Sequence, residues 1–187
     1  KFLKENQVHS IENILGGGIA VGTSLAGVLL IDSSGRALHH LDRKAGLLDN
    51  RVLDLFTDRD QNLWLGLDKG INYIVINSPF SFIYPDQNLR GAGYTARIFE
   101  DKLYVGTAYG LYESPWTNYY SPFEEERFRM VANTKGQTYW LDVVAGRLFL
   151  GHNQGAFEIS QGRAISIGSL IGTWQFAQAP QFPEYLI

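Results

Sequence analysis

The sequence predicts an all-β chain built of β-propeller blades, and three observations carry that expectation. Of its 187 residues, 20 are Gly and 13% are aromatic, a pairing typical of strands joined by tight turns. An apolar strand ending in Gly recurs at Gly22, Gly66, Gly106 and Gly151, at intervals of 44, 40 and 45 residues. Each interval has room for four short strands, which is the period and strand count of a propeller blade.

In the first copy, Val8–Ile14 leads into the turn Gly16-Gly17-Gly18 and the strand Ile19-Ala20-Val21-Gly22. A four-residue loop ends at Gly27, and Val28–Ile31 and Ala37–Leu41 complete the unit. The second copy runs Val52–Thr57, the turn 58–62, Leu63-Trp64-Leu65-Gly66, Gly70, strand 71–76 and an outer strand at 81–84. The third places strands at 94–99, 103–106, 111–113 and about 128–132. The fourth places them at 138–143, 148–151, 156–159 and 164–167. Residues 174–177 read as the first strand of a fifth blade, and 183–187 as the start of its second. The blades are therefore expected at 8–45, 50–90, 93–133 and 137–168, with an incomplete fifth at 172–187.

A single four-stranded sheet cannot bury both faces, so such blades must stack on each other. Strands covered on both sides should be continuously apolar, as Ile19–Val21 and Leu148–Leu150 are. The Gly closing each second strand suits a turn or a close approach that a Cβ would obstruct. A complete ring has no free blade faces, whereas four blades and part of a fifth leave two. The expectation is a fragment of a larger propeller, prone to self-association through those faces. The start at Lys1, without Met or a signal peptide, supports the same reading.

Composition excludes several classes. Sixteen basic and 19 acidic residues give a net charge of −3, with no basic stretch suited to nucleic acid. No apolar run reaches the ~18–20 residues of a membrane span. The absence of Cys removes disulfides, thiolate catalysis and zinc–thiolate sites.

The second copy also carries a fuller motif: Gly46-Leu47, Asp49-Asn50, the strand from Val52, Asp58 in the turn, Leu63-Trp64, Gly66 and Gly70-Ile71. This resembles the two-component regulator propeller repeat, found in the extracytoplasmic sensor regions of hybrid two-component systems of Bacteroidetes. The first copy supplies Gly22-Thr23 and Gly27-Val28, and the third Gly106-Thr107 and Gly110-Leu111. The fourth has Gly151-His152 where the family has Gly-Thr, and it lacks the Asp turn. The resemblance spans about residues 8–160. It implies a periplasmic or extracellular sensory module, without activity or cofactor of its own, that responds to an oligosaccharide. The kinase would lie outside this chain.

Other motifs read as structure. Asp58-Arg59-Asp60-Gln61-Asn62 has the oxygen spacing of a calcium loop, but Leu63 stands where Gly is required and no bidentate Glu follows. A hairpin turn is expected, and no metal. The Gly16–Gly18 run lacks the Lys-Ser/Thr of a phosphate loop and precedes a strand. His39 and His40 should point to opposite faces of one strand and so cannot share a metal. Residues 123–128, Phe-Glu-Glu-Glu-Arg-Phe, lie in an insertion of the third blade, read as a solvated excursion or, alternatively, a partner contact. No hydroxyl nucleophile stands in a pattern with His and acid.

A ligand face is expected where the loops after the second strands converge. Those loops contribute Thr23, Ser24, Asp68, Lys69, Thr107, Tyr109, His152, Asn153 and Gln154. Hydroxyls, amides, charges and an aromatic ring in a constant frame suit a carbohydrate. Two other functions remain open: a carbohydrate-active propeller enzyme of sialidase or lyase type, and a secreted interaction scaffold.

Overall fold

A computed structural model describes residues 1–78, 91–124, 127–168, 171–179 and 181–186. The chain forms two compact units, residues 1–82 with 119–125, and residues 83–118 with 126–187. Its sheets are antiparallel meanders, the construction of propeller blades.

In the first unit, β1 (Val8–Ile14), β2 (Gly18–Thr23), β3 (Val28–Ile31) and β4 (Ala37–Leu41) pair in chain order. The next sheet is β5 (Val52–Thr57), β6 (Leu63–Leu67) and β7 (Gly70–Ile74). The expected outer strand at 81–84 lies outside the described residues. One core joins the two sheets, with Ala20, Val28, Leu30, Val52, Leu55, Leu63, Leu65 and Leu67 buried together. Each such Val or Leu contributes about 1.5–3 kcal/mol through burial. A Cβ on Gly22 would stand 2.6 Å from Cγ1 of Val52, which begins the next sheet, so the Gly at the end of the strand is what lets the sheets approach.

The turn at 58–62 is closed by the Asp58 carboxylate. Oδ1 accepts from the amides of Asp60 and Asn62, and Oδ2 from the Trp64 indole at 2.9 Å. The Trp64 bond, then those amides, hold the Asp58 carboxyl below its ordinary value. No group of metal-binding side chains occurs among the described residues. Side chains along β6 alternate between a buried and an exposed face. Leu63, Leu65 and Leu67 are buried, while Trp64 is exposed on the opposite face against Tyr73.

The described part of the insertion is exposed but anchored on the first unit at two aromatic residues. Phe123 packs on Phe2 and His40, the Tyr119 hydroxyl donates to the Ala37 carbonyl, and Arg36 lies over the Tyr119 ring. Phe123, at the start of the acidic stretch, thus covers the outer strand of the first blade.

The second unit holds β8 (Gly93–Phe99), β9 (Lys102–Thr107), β10 (Leu111–Pro115) and β11 (Arg129–Met130). Its next sheet is β12 (Thr138–Val144), β13 (Arg147–His152), β14 (Gly155–Ser160) and β15 (Arg163–Ser166). Leu111, Val131, Leu141, Leu148, Leu150 and Ile159 form the core between them. A parallel bridge between Ala132 and Arg163 ties the outer edges together. The fifth element differs from expectation. Residues 174–177 form no strand, and the paired strands are β16 (Gln178–Ala179) and β17 (Phe182–Leu186). Among the described residues, Trp174 follows one backbone tether, the Thr173 amide to the His152 carbonyl.

One device repeats in all four blades. The register of the first strand slips between Val8 and Ser10, Val52 and Asp54, Gly93 and Thr95, and Thr138 and Trp140. The skipped residues are His9, Leu53, Tyr94 and Tyr139. A bulge turns the local strand and re-aims the extra side chain.

Candidate functional site

The loop after each second strand is mounted in the same way. The amides of Ser24, Asp68, Ala108 and Asn153 donate to the carbonyls of Gln7, Arg51, Ala92 and Gln137, each directly before its blade's first strand. The backbone frame is constant, and the side chains on it differ.

Three of the nine predicted site residues build this frame instead of lining its rim. Thr23 Oγ donates to the Gly27 carbonyl at 2.8 Å and accepts from the Ala26 amide. Thr107 Oγ donates to the Gly110 carbonyl and accepts from the amides of Tyr109 and Gly110. His152 occupies the matching place, where its Nδ1 accepts from the Gln154 amide at 3.2 Å. All three are buried. At this position a hydroxyl or an imidazole nitrogen accepts from the inward-pointing loop amides of three blades. In the second blade, buried Leu67 stands there without an acceptor. Burial pushes the His152 imidazole below its ordinary value, with the carbonyls of Thr134 and Gly136 opposing.

The other six lie on the surface of their own units. In the first, Ser24 is half-buried, while Asp68 and Lys69 are exposed. Lys69 pairs with Asp49 at 3.6 Å and Asp68 with Arg51 at 3.9 Å, so both charges face local partners. In the second unit, Tyr109 is exposed, and its carbonyl accepts from the Gly136 amide. Asn153 Oδ1 accepts from the Gln137 amide at 3.1 Å, which ties two loops together. Gln154 is exposed.

Sequence reasoning missed the bulge residues. Tyr94 and Tyr139 stand at the same bulge of successive blades, their ring centroids 6.3 Å apart, and Trp174 stacks on Tyr139 at 4.1 Å and 6°. The Tyr139 hydroxyl donates to Gln137 Oε1 at 2.8 Å, which joins this row to the Asn153 loop. A Tyr at the second position of the first strand in the third and fourth copies was the available signal, but its meaning depends on a register slip that one sequence does not display.

Residues 46–69 match the family model described as two component regulator propeller. No curated protein matches the sequence. Among solved structures, the chain is similar to the extracellular domain of BT4673, described as a proposed hybrid two-component system of B. thetaiotaomicron, at 17% identity and a TM-score of 0.40. That match covers 90% of this chain and 25% of the other. The corresponding domain of BT3049 from the same organism gives 17% identity and a TM-score of 0.37, covering 95% of this chain and 25% of the other. Virginiamycin B lyase from Staphylococcus aureus gives 11% identity and a TM-score of 0.35, covering 95% of this chain and 61% of the other. The chain spans about a quarter of the length of the two extracellular domains.

Proposed function

We propose that this chain, which carries a two-component regulator propeller repeat at residues 46–69, is part of the extracytoplasmic sensor of a hybrid two-component regulator. The observation that carries the reading is that repeat, folded as β5, the Asp58 turn and β6. The ligand is an oligosaccharide, and the chain binds it without transforming it. Support comes from the loop surface of the second unit, where Tyr109 offers a ring and Asn153 and Gln154 offer amides on an invariant backbone mount. Among the described residues, no helix is long and apolar enough to cross a membrane.

The test is a glycan-binding screen on the chain, followed by calorimetry on the Tyr109→Ala/Asn153→Ala double variant. Binding that weakens in the variant, with the glycan recovered intact, is the expected result. Unchanged affinity removes this loop face. Recovery of a cleaved glycan favours the carbohydrate-active enzyme.

A further inference from the structure

We propose that Tyr94, Tyr139 and Trp174 form a stacking platform for a neutral pyranose oligosaccharide. This rests on the oligosaccharide-sensor reading and adds a ligand class and three residues to it. Tyr94 and Tyr139 come from equivalent bulges of first strands, and Trp174 follows Thr173, which stands against Gly151 as Thr138 stands against Gly106. Tyr94 is exposed, and Trp174 is 68% exposed.

Trp174 is nevertheless held in place. The Thr173 amide is bonded to the His152 carbonyl, a Cβ on Gly151 would meet the Thr173 carbonyl oxygen at 2.8 Å, and one indole face lies flat on Tyr139. A large apolar ring, stacked on a neighbour and still largely exposed, is pre-organised for a flat apolar partner, and ordering it on binding costs little.

Polar groups flank the rings. Gln137 Oε1 is occupied by the Tyr139 hydroxyl, and no hydrogen bond among the described residues uses the Gln137 amide nitrogen. The same is true of the Asn153 amide nitrogen, since Oδ1 takes the Gln137 backbone bond. Apolar faces edged by amide donors match a pyranose ring, whose axial C–H groups form one face and whose hydroxyls lie at its rim. None of these five residues carries a charge that would attract an anionic sugar. The platform therefore selects neutral sugars over sulfated or uronate-rich ones.

The test is titration calorimetry of the chain with cellohexaose, xylohexaose and mannohexaose, and with a heparin-derived octasaccharide as the anionic probe. At least one neutral probe should bind, Trp174→Ala should weaken it by about fivefold to tenfold, and Trp174→Phe should recover much of the loss. Trp174 is exposed, so near-wild-type circular dichroism of both variants should confirm folding. Neutral binding that ignores Trp174→Ala, or binding of the octasaccharide alone, overturns the platform and leaves the oligosaccharide reading standing. Binding of none of the four probes overturns the platform. A blank glycan screen as well brings down the oligosaccharide reading with it.

Discussion

Glu113 on β10 is a buried carboxylate, 3% exposed, set between cations from both neighbouring strands. Lys102 of β9 donates from Nζ at 3.0 Å, and Arg129 of β11 donates from both Nε and Nη2. Tyr104 lies directly opposite on β9. Burial pushes the Glu113 carboxyl up, and the bonds and charges of Arg129 and Lys102 outweigh it, so it rests below its ordinary value. Glu113→Gln keeps the shape, removes the charge and turns an NH2 toward donors. Breaking a fully buried pair costs about 3–5 kcal/mol. Here the Arg129 and Lys102 side chains keep 76% and 38% of their exposure and can rehydrate. The cost should therefore fall to that of charge-assisted hydrogen bonds, about 1.5–3 kcal/mol. Guanidinium denaturation at pH 7 measures it. A second readout is independent of stability: burial, then the Glu113 charge, raises the Tyr104 phenol to about 12, so its ultraviolet titration should move down in the variant. A variant within about 0.5 kcal/mol of wild type with an unmoved Tyr104 titration would refute the account. In wild type this contribution is present above the unfolded carboxyl value and is lost as pH falls through the lower folded value. Arg129→Met leaves burial opposed by Lys102 alone, so that acid loss should shrink.

Three further outcomes follow from the frame. His152 titrates lower folded than unfolded, so its share of stability is complete above the ordinary imidazole value and declines as pH falls below it, at a slope of up to about 1.4 kcal/mol per pH unit. His152→Thr supplies the acceptor used in blades one and three and should flatten the stability profile below the ordinary imidazole value in thermal melts; an unchanged profile would assign the slope elsewhere. Gly106→Ala places a methyl 2.5 Å from Thr138 Cγ2 and 2.6 Å from Thr95 Cγ2, and should destabilise by about 1–3 kcal/mol in denaturant titration. Asp58→Ala should release the Trp64 indole proton, seen as loss of its distinct NMR shift and faster exchange of the Asn62 amide.

The architecture is legible because a propeller writes itself into the chain as a period. Gly22, Gly106 and Gly151 recur for one steric reason, since a Cβ at each would meet the following segment at Val52, Thr138 or Thr173. The Asp58 turn is legible too, because an Asx side chain satisfies nearby amides whatever surrounds it. The fifth element is less so. Residues 174–177 have the composition of a strand, yet a strand exists only where a neighbour offers a ladder, and that information is not local.

The site is harder to read for a related reason. Loop position alone does not say whether a polar side chain faces solvent or its own backbone. Thr23, Thr107 and His152 look like rim residues in the sequence, and the amides of a tight loop recruit all three inward. His152, where blades one and three have Thr, therefore has a structural meaning, since one acceptor replaces another. Tyr94 and Tyr139 make the opposite case. They look like core aromatics of a strand, and a one-residue slip at each bulge leaves them outside the ladder. Burial in a blade is set by parity along the strand, and a bulge reverses parity beyond it. A repeat with a bulge at a fixed place thus frees one position per blade from core packing. That position can vary as His9, Leu53, Tyr94 or Tyr139 while the fold stays the same, which is the freedom a ligand-specific surface needs.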